Sequence, residues 1–418
     1  MDDIAALLLG LIGLFLAANA LAYGFFRWFP SLLLPENERL QKQHLANLAG
    51  PLRTYVPEWF RIKDDEWEDF FSEYRKWWVE FVVYEDFVGF RNSPCSGKYI
   101  NVSEHGFRNG AAQGEWPPRP EFYNIFFFGG STAIHVGPDW TTIPSYLQEI
   151  LNEAPGPAKP VRLYNFGRGS YFSTQERILF EQIVLDGVVP DLAIFMDGLN
   201  DFYFFEGRTA MSWFYAHKLR EYHREHHEMV QNDLQLRPKW QKLGDFFDSL
   251  PITRAVTVAV RAIAQRNRTP EMAMYKETPI ADEQLLPALR RYLGNLRQIE
   301  VLAKACGIDT LFVVQPVPGY RYDLSSHVAL NPELGLGGHA RSGQGYPLLA
   351  QHFAKQGTPA NVLWLGDMQA GMKRALYVDN VHYTAEMCRM IATAIGEAIV
   401  AKGLRAPSSR ATEGARRG

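Results

Sequence analysis

The sequence predicts an α/β protein in which a parallel sheet is covered by helices on both faces, and three observations carry that prediction. Short apolar runs of strand length recur from Tyr123 onward: Ile125 to Phe128, Val161 to Phe166, Leu192 to Met196, Leu311 to Val314 and Val362 to Leu365. Runs that are apolar without alternation belong to strands buried on both faces. Between them lie stretches with helical spacing, and strand-helix alternation implies right-handed crossovers into a parallel sheet. Five runs predict five strands, and ligands of such a sheet sit at the carboxyl ends of its strands.

The amino-terminal segment comes first in order. Ile4 to Phe26 is an uncharged run long enough to span a hydrocarbon core of about 30 Å as a helix. The alternative is a cleaved signal peptide, since Ala18-Asn19-Ala20 has the small-x-small form of a cleavage site, but "MDD" supplies no positive n-region. We therefore expect residues 1–28 to be an uncleaved membrane anchor. Asp2 and Asp3 before the run and Arg27, Arg39 and Lys42 after it favour a cytoplasmic body, a bias small enough to leave the side open.

Residues 29–120 read as an accessory region, helical or irregular. Within it Trp67, Phe70, Phe71, Tyr74, Trp77, Trp78 and Phe81 recur at helical spacing, which predicts a helix docked by one stripe on the main domain. The main domain covers 121–402. Its first helix is expected in "TTIPSYLQEILNEA", where Ile143, Tyr146, Leu147, Ile150 and Leu151 share a face, Thr142 can cap and Pro144 sits in the first turn. The stretch 202–287 is too long for a plain crossover and predicts a helical insertion over the carboxyl edge of the sheet. Residues 403–418 have no apolar periodicity and read as a disordered tail.

Composition narrows the function classes. The 418 residues are 47% hydrophobic, with 27 Phe, 19 Tyr and 10 Trp, enough for a large core. A net charge of -3 with dispersed basic residues leaves no nucleic-acid footprint. Cys95, Cys306 and Cys388 are far apart and have no metal-ligand or redox spacing. No metal or organic cofactor is implied.

Four stretches follow strands and so converge on one edge: "GGSTAIH" (129–135), "YNFGRGSYFSTQE" (164–176), "FMDGLNDF" (195–202) and "LYVDNVHYT" (376–384). They supply what acyl transfer needs. Ser131 can attack a carbonyl if a base stands within reach, His382 can be that base, and Asp379 at i−3 can fix its tautomer. The developing oxyanion needs donors set in place beforehand; the Ser131 amide, a turn amide at Gly169 or Ser170, and Asn200 Nδ2 are suited to it. Each stretch alone reads as a turn, a helix cap or a surface pair. Their co-occurrence after successive strands carries the claim.

These blocks, Gly129-Gly130-Ser131-Thr132, Asn165-Phe166-Gly167-Arg168-Gly169, Gly198-Leu199-Asn200-Asp201 and Asp379-Asn380-Val381-His382, resemble the SGNH/GDSL hydrolase superfamily over roughly residues 122–400. The resemblance implies a flavodoxin-like three-layer α/β/α sandwich and an esterase, lipase, deacetylase or related acyl-transfer activity. It implies Ser131, Asp379 and His382 as the triad and Asn200 with a second-block amide as the oxyanion hole. It also implies an acylated small-molecule, polysaccharide or lipid substrate, with an O-acyltransferase or a non-catalytic binding module of a membrane assembly as alternatives. Two positions depart from the family pattern. Gly130 stands where Asp is usual, and ungapped alignment puts Ser170 at the usual oxyanion glycine, with Gly169 one residue before it.

Other chemistry-bearing stretches fit blander readings. His135 reads as a loop histidine. "HREHHE" (223–228) lacks the His-Glu-x-x-His order of a zinc helix and reads as a solvated face. "GLGGHARSGQG" (335–345) matches no Walker loop and is expected to be a mobile loop. No Gly-x-Ser-x-Gly elbow surrounds Ser131, which argues against the α/β-hydrolase fold.

Overall fold

The structure is a computed structural model that describes residues 2–28, 56–80, 82–110, 112–154, 159–207, 250–266, 280–330 and 335–404. Residues divide into two compact units, Met1–Asn47 with Ser212–Met274 and Leu48–Met211 with Tyr275–Gly418.

In the first unit, helix α1 (Asp2–Trp28) contains a 20-residue stretch, Leu9–Trp28, of mean hydropathy 1.8, long and apolar enough to cross a membrane. Leu7, Leu9, Leu11, Leu14, Leu16 and Leu21 face outward, Leu9 and Leu14 each 69% exposed. A second helix, Pro251–Arg266, meets it where the Ile252 N–H donates to Asn19 Oδ1 at 3.1 Å. That bond satisfies one first-turn amide that a helix cannot pair internally. The histidine-rich stretch 223–228 and the tail from 405 lie outside the described residues.

The second unit holds the sheet. Its strands are β1 (Tyr123–Gly129), β2 (Val161–Asn165), β3 (Leu192–Asp197), β4 (Asp309–Val314) and β5 (Val362–Trp364). All neighbours are parallel, in the order β2-β1-β3-β4-β5. This is the flavodoxin-like order, so the strand sequence reverses direction at β1 and a crevice opens beyond the ends of β1 and β3.

Why β1 is an interior strand follows from its residues. Ile125, Phe126, Phe127 and Phe128 are all fully buried, and alternation sends Phe126 and Phe128 into one core and Ile125 and Phe127 into the other. Each such side chain contributes about 2 kcal/mol relative to exposure. The first core is closed by α5 (Ser173–Leu185), α7 (Asp282–Ala305) and α8 (Ala340–Gln356). On the opposite face lie α4 (Ile143–Glu153) and α9 (Ala385–Ala401). Thr142 caps α4 by accepting the Ser145 N–H at 3.1 Å, with proline in the first turn.

Helix α7 runs through Pro287 and buries Leu285 completely, so residues from Asp282 belong to the layer covering the sheet rather than to the insertion. The glycine-rich stretch 335–345 is also not a mobile loop. It forms a 3-10 turn and the start of α8, and a Cβ on Gly345 would stand 2.3 Å from the Phe202 ring. There the glycine serves close packing, which composition cannot distinguish from flexibility.

The accessory residues pack on the sheet domain. Helix α2 (Trp67–Glu80) and the ladders Val82–Glu85 with Gly89–Asn92 and Cys95–Ser96 with Asn101–Val102 precede β1. Trp67, Phe70, Trp77 and Tyr99 form a buried cluster with Ile134, Val136 and Val378. Residues 134, 136 and 378 flank the first and fourth sequence blocks.

Candidate active site

At the end of β1, Gly130 caps a single helical turn, α3 (Ser131–Ile134), which places Ser131 at its first position. The turn is closed by Ala133 N–H and Ile134 N–H to the Gly130 carbonyl, at 3.0 and 3.2 Å, and by His135 N–H to the Ser131 carbonyl at 2.9 Å. First-turn amides have no partner within their helix, so the Ser131 N–H is available to a ligand at the sheet edge.

The second block is laced onto the first. Phe166 N–H donates to the Phe127 carbonyl at 2.8 Å and Arg168 N–H to the Gly129 carbonyl at 2.9 Å. Asn165 stands between them, its Nδ2 donating to the Ala133 carbonyl at 3.0 Å and its Oδ1 accepting Gly167 N–H at 2.9 Å. A turn from Arg168 to Tyr171 follows, closed by Tyr171 N–H to the Arg168 carbonyl at 3.3 Å. Its third residue, Ser170, has φ of 62°, a left-handed conformation that favours glycine. Of the two neighbours, Ser170 and not Gly169 takes the left-handed conformation.

Asn200, in α6 (Leu199–Tyr203) beyond β3, donates from Nδ2 to the Tyr171 carbonyl at 2.7 Å. A primary amide has two such hydrogens, and one bond to Tyr171 leaves the second to be aimed elsewhere. Nδ2 lies beside the Ser131 turn, since a Cβ built on Gly130 would lie 2.5 Å from it. The absence of a Cβ at Gly130 lets the amide approach this closely. Asp201 fixes the turn from below, accepting Ser173 Oγ at 2.5 Å and Gly198 N–H at 3.3 Å.

The fourth block lies on the loop between β5 and α9. His382 Nδ1 is 2.6 Å from Asp379 Oδ2, while Asp379 Oδ1 accepts Val381 N–H at 2.9 Å and His382 N–H at 2.8 Å. Burial works to raise the Asp379 pKa, but the His382 charge and these hydrogen bonds outweigh it and leave it well below the ordinary value. The carboxylate stays ionised. Val378 on this loop shares the aromatic cluster with Ile134 and Val136, so the Ser131 turn and the Asp379–His382 loop pack against one wall.

Gly169 and Ser170 lie on the Arg168–Tyr171 turn and Asn200 against Gly130, while Asp379 and His382 are directly paired. His135 follows the Ser131 turn in a loop, as expected, but it is not exposed. It is fully buried between Phe60, at 6.1 Å between ring centroids, and Cys388, whose Sγ is 3.7 Å from Nδ1. Burial, then the charge of Arg108, depress its pKa, so it is a neutral core residue. Residues that sequence reasoning missed are Gln315, which accepts Thr132 Oγ1 at 3.1 Å one residue after Ser131, and the buried Arg108. Neither sits in a motif, and only the crossing of distant segments brings them to the site.

No protein-family model matches the sequence, and no curated protein sequence matches it either. Among solved structures the chain is similar to a Desulfitobacterium hafniense protein assigned to the G-D-S-L family of lipolytic proteins, at 10% identity over 66% of this chain and 99% of that one, TM-score 0.34. It is similar as well to an acetylxylan esterase from Geobacillus stearothermophilus, at 15% identity over 66% of this chain and 94% of that one, TM-score 0.35. A third is an α/β hydrolase enzyme from the metagenome of Lake Arreo, Spain, at 15% identity over 68% and 97%, TM-score 0.33. Likeness at that level bears on neither the activity nor the substrate of this chain. What its own topology shows is a flavodoxin-like α/β/α fold.

Proposed function

We propose that the chain is a serine esterase of SGNH type, anchored to a membrane by α1, that cleaves an O-acyl or O-acetyl ester on a polysaccharide or lipid. The observation that carries this reading is the Asp379–His382 pair, held by a loop that packs on the same wall as the Ser131 turn.

Ser131 Oγ attacks the ester carbonyl and gives its proton to His382 Nε2, while Asp379 holds Nδ1–H and stabilises the imidazolium. The carbonyl oxygen becomes an oxyanion that accepts from the Ser131 amide, from Asn200 Nδ2 and from the Arg168–Tyr171 turn at Ser170 or its neighbour Gly169. Losing one such donor costs about 3 kcal/mol of transition-state stabilisation. The carbon–oxygen bond of the leaving alcohol then breaks and the alcohol takes the proton from His382. Water attacks the acyl-Ser131 ester with His382 as base, the acid leaves, and Ser131 regains its proton.

Labelling of the full-length chain in detergent with a fluorophosphonate probe tests the proposal. Wild type should label, and Ser131→Ala and His382→Ala should not; a folded wild type that stays unlabelled refutes it. Offering an acetylated polysaccharide with a second sugar acceptor then shows whether the acyl group passes to water, as proposed, or to a sugar hydroxyl, as in a transferase.

A further inference from the structure

A helix of one turn does not hold itself, because nucleation fixes several residues for a single hydrogen bond. α3 is such a turn. Its last carbonyls also lack partners within the helix, and at that end the structure places the side chain of Arg108, 1% exposed. Nη1 donates to the carbonyls of Ile134 and His135 at 2.6 and 2.7 Å, Nη2 to that of Gly137 at 2.6 Å, and Nε to Asp139 Oδ1 at 2.7 Å. His135 itself has φ of 65°, an unfavoured conformation for a non-glycine residue, and Arg108 holds its carbonyl.

The other contacts of Arg108 tie it to the second block and to the accessory region. Its N–H donates to the carbonyl of Asn165, the last residue of β2, whose side chain in turn holds the Ala133 carbonyl at 3.0 Å. Trp77 of α2 covers the guanidinium at 5.2 Å, and Asn101 Nδ2 holds the second oxygen of Asp139 at 2.9 Å. A buried guanidinium demands such a full set of acceptors, and only its rigid fork of donors can serve three carbonyls and a carboxylate at once. Lysine has the charge without the fork.

We infer that Arg108 is a positioning residue for the nucleophile: it caps the carboxyl end of the turn that carries Ser131, so the accessory region completes the catalytic apparatus. This rests on the reading of Ser131 as nucleophile. Arg108 acts through α3 and does not meet the substrate. Its loss therefore lowers kcat and leaves KM nearly unchanged, and misplacement of a reacting group by about 1 Å costs on the order of a hundredfold.

The experiment uses the full-length chain in detergent with p-nitrophenyl acetate as substrate, a fluorophosphonate labelling rate and a thermal midpoint, for wild type, Ser131→Ala, Arg108→Lys and Arg108→Met. Absence of Ser131-dependent labelling in wild type refutes the nucleophile itself, separately from the role of Arg108. With that labelling present, the expected result is a folded Arg108→Lys with kcat and labelling rate reduced about 10- to 100-fold and KM within about threefold. Arg108→Met should be lower still. If Arg108→Met does not fold, Arg108→Lys decides. Wild-type kcat in Arg108→Lys, a change confined to KM, or a kcat loss that only tracks the unfolded fraction would overturn the inference, as would failure of both variants to fold.

Discussion

His382 Nδ1 lies 2.6 Å from Asp379 Oδ2, and the other oxygen of that carboxylate is held by two backbone N–H groups of the same loop. The loop thus builds the pair from three adjacent bonds, with Asp379 ionised and the ring fixed in one orientation. Asp379→Asn removes the charge and permits the wrong tautomer, so kcat should fall by about ten-thousand-fold with the fold intact. Steady-state kinetics check this, and a loss of tenfold or less would remove Asp379 from the proposed triad.

The same carboxylate predicts a pH effect on stability. Its folded pKa is depressed below the ordinary 3.8, so the stabilisation is present above that value and is lost as pH falls through the folded one. The gap in thermal midpoint between wild type and Asp379→Asn should be full at pH 6 and shrink below about pH 4. A gap that does not change with pH would show that the pairing contributes no linkage.

Asn200 and Gly130 should behave as one unit. Asn200→Ala is expected to lower kcat by about 100- to 1000-fold. Gly130→Ala puts a Cβ into the space 2.5 Å from Asn200 Nδ2 and displaces the same donor. Groups that share a contact do not add, so the double variant should lose little more than Asn200→Ala alone. Fully multiplicative losses in a double-mutant cycle would mean that Gly130 acts through something other than the amide.

The left-handed backbone of Ser170, rather than its hydroxyl, is the feature the proposed oxyanion site uses. Ser170→Gly should therefore keep full labelling by a fluorophosphonate, while Ser170→Val, forced into φ near 62°, should cost about 1–2 kcal/mol of stability. Loss of labelling in Ser170→Gly would assign the hydroxyl itself a role.

Beneath the third block the carboxyls of Glu176 and Asp197 face each other in the core, with Asp201, Tyr292 and Tyr346 around them. Burial first, then the neighbouring carboxylates, raise Glu176 well above its ordinary 4.5. A raised folded pKa gives stability that is full below the unfolded value and is lost as pH rises through the folded one. Glu176→Gln removes that loss, so the variant should gain on wild type as pH is raised from 5 to 9. Denaturant unfolding at several pH values measures it, and parallel curves would show that the acid is not protonated in the fold.

Much of this protein was legible in the chain. Strands buried on both faces must be apolar throughout, which is why Ile125 to Phe128 stood out, and Thr142 with Pro144 marked a helix start through purely local bonds. Asp379 and His382 are three residues apart, so their pairing too is a local event. Local glycine signals were less informative. The stretch 335–345 reads as flexible, yet Gly345 is where Phe202 packs, and no short-range pattern encodes the presence of a ring 143 positions away in the chain.

By itself, then, the sequence determined the class of fold, the four blocks and the apolar amino-terminal helix, because each depends on side-chain periodicity or on residues close in the chain. Tertiary structure alone decided that Ser170 rather than Gly169 takes the left-handed turn position, that Asn200 leans on Gly130, that His135 is a core residue, and that Arg108 clamps the turn that begins at Ser131. Those are contacts between segments far apart in sequence. They arise from the close packing of elements whose faces the sequence specifies but whose facing partners it does not.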